Sequence, residues 1–155
     1  MFNYIKSLFM TNEEIFEKAK KGDKSILTLP KARLMIKDSI GWTPIHYLAN
    51  KGVKEILTLP KSILMIQDDD GWTPIHWLAS NGVGVKEILK LPKSILMIQD
   101  RYGDTPIHEL AVRGVKEILK LPKSILMIQN NYGSTPIHFL AYEGVKIPEE
   151  LKHLI

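Results

Sequence analysis

The sequence predicts an all-α, helix-turn-helix repeat solenoid with short connector turns or hairpins, and three observations predict it. The tetrapeptide Thr-Pro-Ile-His occurs four times, starting at Thr43, Thr73, Thr105 and Thr135. Aligned on the Gly before each motif, the chain divides into units at 41–70, 71–102 and 103–132 and a truncated unit at 133–155, a period that marks stacked supersecondary units. Each unit holds two short apolar-periodic segments around a Gly. Isolated helices below about 12 to 15 residues are marginal in water, so such segments must stack to be stable.

The elements follow in order. The apolar MFNYIKSLFM, residues 1–10, lacks the basic start and small-residue cleavage site of an export signal and reads as an N-terminal arm or cap. A diverged first unit spans 11–40, where Ile15, Ala19 and Gly22 fall in register with Ile45, Ala49 and Gly52. Thr11 with Glu14 forms a capping box at its start. In each full unit, represented by 71–102, Thr73 is the helix N-cap and Pro74 suits the first helical position. Ile75, Leu78 and Ala79 then share one face, His76 reaches back to the cap, and Gly82 ends the helix.

A second short helix is expected over VKEILTLP, with Val53, Ile56, Leu57 and Leu59 apolar and Pro60 stopping it. The run SILMIQD fits either a short buried strand or a helical turn. Its Met residues join Ile and Leu in the expected core strip. DDDG, DRYG and NNYG are turn tips. Pro148, Glu149 and Glu150 open a last helix that Lys152 and His153 close, and residues 1–155 read as a single repeat domain.

Composition narrows the function. At 45% apolar and 25% charged, the chain has ordinary soluble composition. The net charge of +4 comes from interleaved acids and bases, which implies no dedicated polyanion partner. The absence of Cys removes disulfides and thiol chemistry and fits a reducing, cytoplasmic compartment, the cytosol of a host included. No apolar run approaches the roughly 20 residues of a membrane span.

The motif His residues, His46, His76, His108 and His138, sit one per unit. Neighbouring helices lie about 8 to 10 Å apart, whereas a zinc-bound His nitrogen lies about 2.1 Å from its ion, so a shared metal would strain the stack. With their N-caps Thr43, Thr73, Thr105 and Thr135 they are assigned a structural role, with no metal and no cofactor. No activated nucleophile, phosphate-cradling loop or recurrent carboxylate pair accompanies them, so no catalytic residue and no enzyme is expected.

These residues resemble the ankyrin repeat, whose signature is T-P-L-H-x-A in a period of about 33. Here it reads T-P-I-H-x-L-A, with Asp38, Asp68, Asp100 or Asn130 three positions before the next Gly. The units are shorter, and Leu-Pro-Lys-Ser-Ile-Leu-Met-Ile replaces the usual connector. What the resemblance implies is a non-catalytic scaffold that holds a partner protein on the concave surface made by connector tips and first helices.

Comparison between the units locates that surface. VKEIL, LPKSILMIQ and TPIH hardly change, whereas the two residues before each Gly, the one after it and the two closing the first helix all vary. The varying residues are Ser39, Ile40, Trp42, Asn50 and Lys51, then Asp69, Asp70, Trp72, Ser80 and Asn81. The later units contribute Arg101, Tyr102, Asp104, Val112 and Arg113, then Asn131, Tyr132, Ser134, Tyr142 and Glu143. Aromatic and Arg residues dominate binding hot spots, so this face is expected to bind a partner protein, with the chain a monomer. Tyr47, Trp77, Glu109 and Phe139, the residues after each His, are assigned mainly to packing.

Two alternatives belong to other classes. Lysine rows at Lys54, Lys86, Lys116 and Lys146, and at Lys31, Lys61, Lys93 and Lys123, would suit a nucleic-acid backbone. Glu55, Glu87 and Glu117 interrupt the first row, and a solvated face is preferred. Self-association through the apolar decamer would be head to tail.

Overall fold

The computed structural model describes residues 9–155, so of the expected N-terminal arm only Phe9 and Met10 fall within the described residues. Among these the chain is all-helical, built from short α-helices and 3₁₀ turns with no strand. It divides into two compact units, one ending at Leu78 and one beginning at Ala79.

In the first unit, α1 (Asn12–Lys20) begins at Thr11, whose hydroxyl oxygen accepts from Glu14 N–H at 3.1 Å while the Glu14 carboxylate accepts from Thr11 N–H at 2.6 Å. After it come a 3₁₀ turn (Lys24–Thr28), the single-turn α2 (Lys31–Leu34), α3 (Pro44–Asn50), a second 3₁₀ turn (Lys54–Thr58) and α4 (Lys61–Leu64). Helix α3 packs on α1. Ile45, Leu48, Ala49, Ile56, Ile63 and Leu64 are removed from solvent, one small core contribution per repeat. Helix α5 (Pro74–Asn81) runs through the division point.

The second unit continues with α6 (Val85–Ile88), α7 (Lys93–Leu96), α8 (Pro106–Val112), a 3₁₀ turn (Lys116–Lys120), α9 (Lys123–Leu126), α10 (Pro136–Tyr142) and a last 3₁₀ turn (Glu149–Leu154). Helices α8 and α10 pack together, and Ile107, Leu110, Ala111, Ile118, Ile125 and Leu126 repeat the buried set.

Three details depart from or sharpen the expectations. VKEIL forms 3₁₀ turns rather than an α-helix in the 30-residue units: Leu59 N–H donates to Ile56 carbonyl at 2.9 Å, a three-residue step. Too few residues separate Gly52 from Pro60 for the wider winding, and Pro60 has no N–H to extend it. The Val83-Gly84 insertion supplies the slack, and there Ile88 N–H reaches Gly84 carbonyl at 2.8 Å as one α turn. The ambiguous connector is helical, with Pro60 entering the α4 turn and Ile63 and Leu64 pointing inward. The Met residues are not core: Met35, Met65, Met97 and Met127 close these turns on the exposed side.

Each connector ends in the same tip. At residues 68–72, Asp68 N–H donates to Trp72 carbonyl at 2.8 Å, and Asp68 Oδ1 accepts from Asp70 N–H at 3.0 Å and Trp72 N–H at 2.8 Å. Asp38, Asp100 and Asn130 organise their tips the same way. The side-chain oxygen thus replaces the strand pairing that would otherwise hold the loop.

Candidate functional site

At His46 and His108 the motif histidine is a joint. His46 occupies the third position of α3, where Nδ1 accepts from Thr43 N–H at 3.1 Å and from the Thr43 hydroxyl at 2.8 Å. Nδ1 being an acceptor, the ring proton sits on Nε2, which donates to Trp72 carbonyl of the following tip at 3.0 Å. His108 repeats this with Thr105 and, at 3.2 Å, Ser134 carbonyl. Both ring nitrogens are therefore engaged, which leaves neither free for a metal or for proton transfer. Burial holds His46 and His108 below the ordinary 6.5 of a histidine, so both stay neutral near pH 7.

The variable positions lie outside this buried frame. Ser39, Ile40, Asn50, Lys51, Asp69, Asp70, Asn81, Arg101, Tyr102, Val112, Arg113, Asn131, Tyr132, Tyr142 and Glu143 are exposed. Trp42, Trp72, Ser80, Asp104 and Ser134 are half-buried, whereas Thr43, His46, Thr73, His76, Thr105, His108 and Thr135 are buried and His138 is half-buried. Some variable side chains also hold the scaffold: Arg113 donates to Ser80 carbonyl at 2.9 Å, and Asn131 Nδ2 to Arg101 carbonyl at 2.9 Å.

In the first unit the face is an aromatic ladder. Ring centroids lie 6.0 Å apart for Phe16 and Tyr47, 4.7 Å for Tyr47 and Trp42, 4.7 Å for Trp42 and Trp77, and 4.6 Å for Trp77 and Trp72. Such tilted and edge-on contacts contribute about 0.5 to 1.5 kcal/mol each beyond area burial. Trp42 and Trp72 therefore pack as well as face outward, and Phe16, Tyr47 and Trp77 belong to the same surface. The sequence carried a signal for this: the residue after each His varies between units as the face residues do. The Tyr47 hydroxyl donates to Asp38 Oδ2 at 2.7 Å, and burial with that bond pushes it up to about 12.

In the second unit Asp104, Glu109 and Ser134 make three of the equivalent slots polar, and Phe139 keeps a ring in the fourth. Asp104 Oδ1 accepts from Asn130 Nδ2 at 2.8 Å, and Glu109 takes the place of the ladder aromatics. Burial, reinforced by Asp104 and Asp100, pushes the Glu109 carboxyl up from the ordinary 4.5 to about 7 against its bond to Ser80. A raised carboxyl contributes stability that is complete below its unfolded value and lost as pH rises through the folded one. Glu109→Gln is therefore expected to exceed the wild type in stability at pH 8 by on the order of 2 kcal/mol, and to lose the decline between pH 4.5 and about 7. His46 and His108 act oppositely: their lowered values give stability that is complete above the unfolded 6.5 and lost as pH falls below it. Urea midpoints across pH 5 to 8 check both; parallel profiles for variant and wild type would contradict the role given to Glu109.

The lysines of both rows are exposed, and Lys93 Nζ donates to Ser124 Oγ at 3.0 Å. Among the described residues no helix is long and apolar enough to cross a membrane. Compared with known proteins, the chain matches no family model and no curated protein. The class defined by the fold is therefore all-α.

Proposed function

We propose that this chain is a non-catalytic, ankyrin-like repeat solenoid that binds a partner protein through its variable, aromatic-rich face, acting as a monomer in the cytoplasm. One observation carries the reading. The motif residues that repeat unchanged are buried in the joints, and the residues that change between units stand at the surface. The varying positions are exposed or, at Trp42, Trp72, Ser80, Asp104 and Ser134, half-buried. The exposed aromatics Tyr102, Tyr132 and Tyr142 are the type that anchors interfaces.

The clean test avoids Trp42 and Trp72, because truncating either would also break the ladder. An Ile40→Ala, Tyr102→Ala, Tyr132→Ala variant removes exposed side chains and is expected to keep its fold by circular dichroism. Affinity capture from nuclease-treated lysate should retain a protein on the wild type, and the variant should lose it at least tenfold. A partner that nuclease releases points instead to the lysine rows, and one that the folded variant still holds contradicts the face.

A further inference from the structure

One set of residues repeats unchanged and yet stands at the surface. Each connector turn carries a Lys at its first helical position and a Met four residues on: Lys31 and Met35, Lys61 and Met65, Lys93 and Met97, Lys123 and Met127. Met65, Met97 and Met127 N–H donate to the Lys61, Lys93 and Lys123 carbonyls at 2.9 Å each, which stacks Lys and Met on one side of the turn. The other side belongs to the core, where Ile63, Leu64, Ile95 and Leu96 are removed from solvent. All four Lys and all four Met are exposed, the thioethers at 37 to 47%.

Neighbouring connectors stand side by side within each compact unit. In the first, Lys37 Nζ donates to Gln67 carbonyl at 2.7 Å; in the second, Lys93 Nζ donates to Ser124 Oγ and Gln99 Nε2 to Gln129 carbonyl, both at 3.0 Å. Each unit therefore presents two Lys and Met pairs together. The charge of this surface has one sign. Residues 29–37, 59–67, 91–99 and 121–129 hold five Lys, one Arg and no Asp or Glu, more cationic charge than the chain's whole net +4. Arg33 is half-buried and donates to Met10 carbonyl, so the exposed lysines carry the outward charge. Glu55, in the 3₁₀ turn that precedes a connector, is already engaged by Lys24 at 2.7 Å.

We propose that the connector surface of each unit binds peripherally to an anionic lipid bilayer, with the lysines on the charged headgroups and the methionines entering the interfacial layer. Two features select this occupant. An interface with one particular protein needs side chains that differ from unit to unit, as the variable face has, whereas an identical pair in each unit suits a partner that is itself uniform. Among uniform polyanions, a single-stranded nucleic acid is held by aromatic rings on which its bases stack, and the four connector segments contain no aromatic residue. A bilayer surface instead rewards cationic charge and apolar burial together, the two properties that Lys and Met bring. The surface is separate from the variable aromatic face, so the inference stands or falls independently of the preceding reading.

The test is flotation of the full-length chain with phosphatidylcholine vesicles in which about one lipid in three is phosphatidylserine, against vesicles of phosphatidylcholine alone. Wild type is expected to partition about tenfold or more in favour of the anionic vesicles. A Lys31→Gln, Lys61→Gln, Lys93→Gln, Lys123→Gln variant should lose about tenfold or more of that binding. A Met35→Gln, Met65→Gln, Met97→Gln, Met127→Gln variant should lose about threefold or more. Both should keep the wild-type circular dichroism, because every substituted side chain is exposed. The Ile40→Ala, Tyr102→Ala, Tyr132→Ala variant should bind the vesicles as wild type does, which separates failure of this surface from failure of the variable face. Equal partitioning of wild type onto the two vesicles, or anionic binding that survives in either the lysine or the methionine variant, would overturn the proposal. So would a chain that leaves the vesicles and retains a single-stranded oligonucleotide.

Discussion

Replacing His46 with Ala is expected to lower the unfolding free energy by about 3 to 4 kcal/mol. The change removes the acceptor for Thr43 N–H and hydroxyl and the donor for Trp72 carbonyl, and it opens a ring-sized void in a buried site. Each buried group left unsatisfied costs about 1 to 3 kcal/mol, and the terms overlap because one ring serves all three. His138→Ala provides the internal control. It loses the same cap but no donation from Nε2 to a following tip, and its site is half-buried, so a cost of about 1 to 2 kcal/mol is expected. Urea unfolding followed by far-ultraviolet circular dichroism checks the pair; equal losses would mean that the contact to the following tip contributes nothing.

Gly103→Ala should cost about 3 kcal/mol, and Gly133→Ala only about 1 to 2. Both glycines adopt positive φ, +80° and +78°, so an alanine at either is strained to the same degree. The difference is the neighbour. A Cβ on Gly103 would stand 2.7 Å from Asn131 backbone nitrogen, the group that donates to Tyr102 carbonyl, while at Gly133 nothing lies within 4 Å. The excess at Gly103 thus measures how closely consecutive tips approach. Matching unfolding midpoints for the two variants would contradict that close approach.

Much of the local structure was legible in the sequence. Thr-Pro-Ile-His specified cap, first turn, buried Ile and reaching His through chemistry that acts within four residues, and each of these appears at α3 and α8. The tips were legible as turns, while the structure added that the Asp68 and Asp100 side-chain oxygens organise them by serving backbone groups two and four residues on. Less legible were features set by spacing between elements. That VKEIL winds as 3₁₀ depends on the distance to be spanned between Gly52 and Pro60, which composition does not encode. That Met65 faces solvent depends on Ile63 and Leu64 having taken the inward side of a single turn.

The candidate face divides along the same line. The contrast between constant and varying residues separated frame from surface without any coordinates. It did not reveal that Tyr47 and Trp77, assigned to packing, stand in one ladder with Trp42 and Trp72, because Trp42 and Trp77, thirty-five residues apart in the chain, meet only when successive repeats pack together. Nor did it foresee a carboxyl at Glu109 held near neutrality, since the burial and the neighbouring Asp100 and Asp104 that raise it come from three-dimensional packing. By itself the sequence determined the repeat, its caps and its turns, because those rest on short-range hydrogen bonding and backbone preference. The tertiary structure alone decided which rings touch and which polar groups are desolvated, because those depend on how close distant segments come.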